Sequence, residues 1–68
     1  MSAPMDVTVG LDDLIRSAQR ELGLRERLYP RWVKARRMTQ EKANHEIACM
    51  ASICALLVQM RTQGEALN

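Results

Sequence analysis

The chain of 68 residues predicts an all-α protein, and three observations carry that expectation. Its apolar residues are almost all Leu, Ile, Met, Val and Ala, with one Tyr, one Trp and no Phe. Such a set packs between helices more readily than across strands. Three glycines and two prolines are too few turn formers for a β-fold of several strands. Two long stretches space their apolar residues at steps of three and four, which is the period of a helical face. The expected architecture is an antiparallel helical hairpin whose first helix is kinked or broken at Pro30. Two copies are expected to dimerise into a four-helix bundle.

Taken in order, residues 1–9 (MSAPMDVTV) show no helical period and contain Pro4, so they are expected to form a flexible N-terminal arm. Residues 10–65 make the hairpin domain, and 66–68 a frayed C-terminus. Gly10 can cap the first helix, and Asp12 and Asp13 fall in its first turn, where they favour the positive end of the helix dipole. Leu11, Leu14, Ile15, Ala18 and Leu22 mark one face, which Leu28, Tyr29 and Trp32 continue past the proline. Gly23 is a weak point, costing about 1 kcal/mol relative to Ala. Pro30 has no N–H to give Glu26 and disfavours helical backbone at Tyr29, so the helix is expected to kink or end there. The stretch PRWVKARRM then forms the corner. Thr39 is the N-cap of a second helix from about Gln40 to Gln63, roughly 36 Å long, with Gly64 as its stop.

The second helix carries two apolar seams. Ala43, Ile47, Met50, Cys54 and Leu57 form one, and Cys49, Ile53, Leu56 and Met60 form another, turned about 100° around the axis. The first helix can cover one seam, and a hairpin has nothing left to cover the other. Leaving Ile53, Leu56 and Met60 in water forgoes about 1.5–3 kcal/mol apiece. Cys49, Ile53, Leu56 and Met60 are therefore the expected interface, with a second copy of the chain as first candidate and a different protein as second. Cys49 and Cys54 lie about 140° apart on the helix, too divergent for an internal disulfide. Reduced, buried thiols suit a cytoplasmic setting. No secretory leader pattern opens the sequence, and the most apolar run, Ile47 to Met60, falls short of the roughly 20 residues of a membrane span. No membrane association is expected.

Little in the chain points to catalysis. His45, with Glu41 and Cys49 one turn away on either side, falls short of a zinc-binding pattern, and no third group completes a nucleophile–base arrangement. No catalytic, cofactor-binding or metal-ligating residues are expected, and the chain is not expected to be an enzyme. Charge is unevenly spread. Residues 25–42 hold seven basic and two acidic side chains, whereas residues 1–24 have a net charge of −2 and residues 43–68 of −1. Arg31, Trp32, Lys34, Arg36 and Arg37 thus form a basic corner with the chemistry for a protein or nucleic-acid contact. The second helix is too apolar after Ile47 to serve as a recognition helix in a DNA groove.

The stretch RERLYPRWVKARRMTQEKANHEIACMASICALL resembles a group of small uncharacterised helical proteins encoded by phages and prophages of Gram-negative bacteria. The resemblance rests on Arg25, Arg27, Tyr29, Pro30, Arg31, Trp32 and Val33, then Arg37 and Met38, then Ala43, Glu46, Ile47, Ala48 and Met50. Arg36 stands where that pattern has glycine. The resemblance implies a phage or prophage accessory protein in the cytoplasm of an infected or lysogenic host. It would act by binding, and so inhibit or modulate, a host or defence protein. The alternative is a nucleic-acid-associated accessory protein using the corner from Arg31 to Arg37.

Overall fold

A computed structural model of the chain describes residues 9–67, and the side chains of 9–64. Residues 1–8, most of the expected arm, and Asn68 at the expected frayed end lie outside the described residues. Two helices make up the fold: α1, Leu11–Lys34, and α2, Gln40–Leu67. They pack against each other as an antiparallel hairpin, with no strand among the described residues. The shortest principal extent is 15 Å, little more than the 10–12 Å or so of a single helix with its side chains. The hairpin is one layer deep.

Local chemistry accounts for both helix starts. The Gly10 carbonyl accepts from the N–H groups of Asp13 and Leu14 at 3.1 and 3.2 Å, while Asp12 and Asp13 occupy the first turn. Arg16 donates to Asp13 at 2.7 Å, which holds the Asp13 carboxyl below its ordinary range. At the start of α2, Thr39 Oγ1 accepts from the Lys42 N–H at 3.1 Å, a side-chain N-cap of the expected kind.

The core is the first of the two seams on α2. Met50 and Cys54 pack with Ala18 of α1, flanked by Leu22 and Leu57, and Ile15 and Ala43 are buried as well. Among the described residues no large side chain is fully enclosed, so the single hairpin has a thin core.

Three features narrow or correct the sequence expectations. First, of the kink or break expected at Pro30 only the break is excluded: the helix continues through the proline to Lys34. The proline sits four residues from the helix end, on an exposed face, where the freed Glu26 carbonyl can turn to water. Second, Gly64 does not end α2, which runs through it to Leu67, and no glycine has the positive φ of a helix stop. Third, Leu14 does not join the core. It remains 41% exposed.

The turn between the helices has a definite form. The Arg36 N–H donates to the Val33 carbonyl at 3.0 Å, and the Arg37 N–H to the Trp32 carbonyl at 2.8 Å. This nested pair is a Schellman motif, which needs a left-handed residue just past the helix end. Arg36 fills that position with φ of 62°, where glycine is the usual occupant.

Candidate interaction face and basic corner

The second seam of α2 lies open. Cys49 is exposed, and Ile53, Leu56 and Met60 retain 45%, 59% and 57% of their accessible surface. Cys49 thereby departs from the expectation of a buried thiol, whereas Cys54 meets it, and both thiols are free.

Arg25 shows which side of the hairpin this seam occupies. Its Nε donates to Glu21 at 3.0 Å, and its Nη1 crosses to α2, donating to the Glu46 carbonyl at 2.8 Å and lying 3.5 Å from the Glu46 carboxylate. The bond to Glu21 raises the guanidinium further above its already high ordinary value. Glu46, Ile53 and Met60 are spaced seven apart, and Leu14 precedes Arg25 by eleven, so each series runs nearly in line along its own helix. Because Arg25 and Glu46 meet between the helices, both lines lie on the same face of the hairpin. Leu14 of α1 therefore lies on the same side as Ile53 and Met60, with Leu56 further round the outer flank of α2. The eleven-residue spacing was readable in the sequence, but not the cross-helix contact that gives it meaning. At the open end of the hairpin, Arg61 Nη1 donates to Asp12 at 3.0 Å.

The basic corner is built differently. Arg31 and Lys34 occupy the last turn of α1, where cations favour the negative end of the helix dipole. Arg36 and Arg37 follow in the turn itself. With Val33, Thr39 and Lys42 they border an open hollow of about 650 Å³. Arg25 and Lys42 are paired with carboxylates, but among the described residues no ion pair involves Arg31, Lys34, Arg36 or Arg37. Trp32 does not project freely beside them. It is half-buried and stacked on Tyr29, with centroids 5.3 Å apart and planes at 29°. The Arg25 guanidinium lies 6.0 Å from the Tyr29 ring centre, so the rings are braced from within the hairpin.

His45 and Cys49 do come together, with Sγ 3.5 Å from Nε2. Among the described residues no group of three His, Cys, Asp or Glu side chains is placed to hold a metal ion. Within Gln40–Gly64 an 18-residue window reaches a mean hydropathy of 1.2, enough to cross a membrane by length and composition alone. The central helix of a soluble bundle meets the same criterion. No protein-family model, curated protein or solved structure matches this chain.

Proposed function

We propose that the chain is a small, non-enzymatic, protein-binding hairpin of the cytoplasm, and that its outer apolar face is the binding surface. A single observation carries this reading: Ile53, Leu56 and Met60 lie roughly half exposed along one side of a structure only one layer deep. Domains are ordinarily built from two packed layers, and an apolar face of this kind marks an interface. The first occupant is a second copy, giving a four-helix bundle around Cys49, Ile53, Leu56 and Met60. A kink of α1 at Pro30 is compatible with this assembly, since it would tilt only the last turn and the corner.

The resemblance to phage and prophage proteins supports the biological half of the proposal. A compact bundle with two basic corners would bind a host, phage or defence protein and modulate or inhibit it. The corner supplies polar and aromatic contacts through Arg31, Trp32, Lys34, Arg36 and Arg37. A second reading, nucleic-acid association through the same corner, is favoured by the absence of any ion pair to Arg31, Lys34, Arg36 or Arg37 among the described residues. Affinity for DNA or RNA that falls steeply with salt would support it, and no affinity even at low salt would sink it.

Sedimentation tests the principal reading. The wild-type chain should run at twice its 7.7 kDa mass, and Leu56→Glu at the mass of one chain. A wild-type monomer, or an equally stable dimer of both proteins, contradicts the assignment of this face.

A further inference from the structure

We infer that the outer face receives a second copy in one definite register. In it, α2 lies antiparallel to the partner's α2 across a twofold axis midway between Ile53 and Leu56. This rests on the reading of the face as a protein-binding surface, and it adds the partner and the geometry.

The seam itself supplies the first argument. Its steps from Cys49 to Ile53, Leu56 and Met60 are four, three and four, the same in either direction. A twofold axis across the helix at its midpoint maps Ile53 onto Leu56 and Cys49 onto Met60. Each apolar residue then opposes another at the same height, as a symmetric interface requires.

Area supplies the second. The helices run side by side for the 24 residues of α1, about 36 Å, and together are about 20 Å wide, so the face covers on the order of 700 Å². A stable dimer buries about that much on each partner.

Charge chooses the orientation. The corner region, residues 25–42, has a net charge of +5, while residues 1–24 and 43–68 have −2 and −1. A dimer with both corners at the same end would set two strongly basic regions side by side. The antiparallel register sends them to opposite ends, each beside the chain ends of the other copy, where the sign is complementary.

The register makes a prediction that cysteine chemistry can read. The two Cys49 residues would be eleven helical steps apart, about 16 Å, well beyond the roughly 7 Å that a disulfide can bridge. Cys49 would face the partner's Met60. Under mild oxidation, Cys54→Ala alone should stay uncrosslinked, and Cys54→Ala with Met60→Cys should shift mostly to a dimer band joined between positions 49 and 60. Met60 is exposed in the hairpin, so its replacement does not threaten the fold. Cys54 is buried, so the experiment is repeated with Cys54 retained and the bonded positions mapped by mass spectrometry. Crosslinking through Cys49 alone would overturn the register, as would an uncrosslinked Met60→Cys protein that still sediments as a dimer; both leave the binding face standing. A monomer at every concentration in sedimentation would overturn the face and the register together.

Discussion

The two seams of α2 are nearly the same in chemistry and very different in circumstance. Ala43, Met50 and Cys54 on the inner seam are buried against α1, while Cys49, Ile53, Leu56 and Met60 on the outer one face solvent. Both follow alternating steps of four and three, both draw on Ile, Leu, Met and Cys, and both ride the same rigid helix. Nothing in their composition marks one as core and the other as surface. The difference comes from the hairpin, which has one helix to offer and two faces to cover. An apolar seam is a demand for a partner, and whether the same chain meets it depends on topology.

The most forceful way to probe the comparison is to truncate one methionine on each seam. Met50→Ala opens a gap beside Ala18 and Cys54 and should destabilise the protein by about 2–5 kcal/mol in urea unfolding, whatever the protein concentration. Met60→Ala removes a contact that only a second chain completes. Its loss should be near 1.4 kcal/mol, a tenfold weaker dimer, and should vanish on dilution. Equal, concentration-independent losses at the two positions would erase the distinction between the seams.

Much of this contrast was legible beforehand. The four-and-three spacing picked out the inner seam, Thr39 marked the start of α2, and Gly10 with Asp12 and Asp13 marked that of α1. Other features were not legible, because they depend on what lies opposite a residue. Leu14 fits the helical period of α1 as well as Ile15 does, yet α2 covers only Ile15. Arg25 belongs by sequence to the basic middle of the chain, but the Glu46 carbonyl and carboxylate draw it into the hairpin. Gly64 and Pro30 read as breakers from local rules. Helix continues through both, Pro30 lying four residues from the end of α1 and Gly64 three from the end of α2.

A smaller effect sharpens the comparison from the corner that joins the seams. Arg36 holds a left-handed backbone that a side chain makes unfavourable by roughly 1–2 kcal/mol. Arg36→Gly should therefore stabilise the hairpin by about 1 kcal/mol, seen as a rise in melting temperature of several degrees. It should weaken the dimer only slightly, because it removes one of seven basic side chains in the corner and none of the apolar residues of the outer seam. A fall in melting temperature would mean that the Arg36 side chain makes a contact worth more than the backbone strain.

The two cysteines offer the most direct measurement, since Cys54 sits on the inner seam and Cys49 on the outer one. Their rates of reaction with a thiol reagent can be followed separately while the protein is diluted. Cys54 should react slowly at every concentration. Cys49 should be protected in concentrated protein and become reactive as dilution separates the copies. A Cys49 that reacts quickly and at the same rate throughout would show that no second chain covers the outer seam.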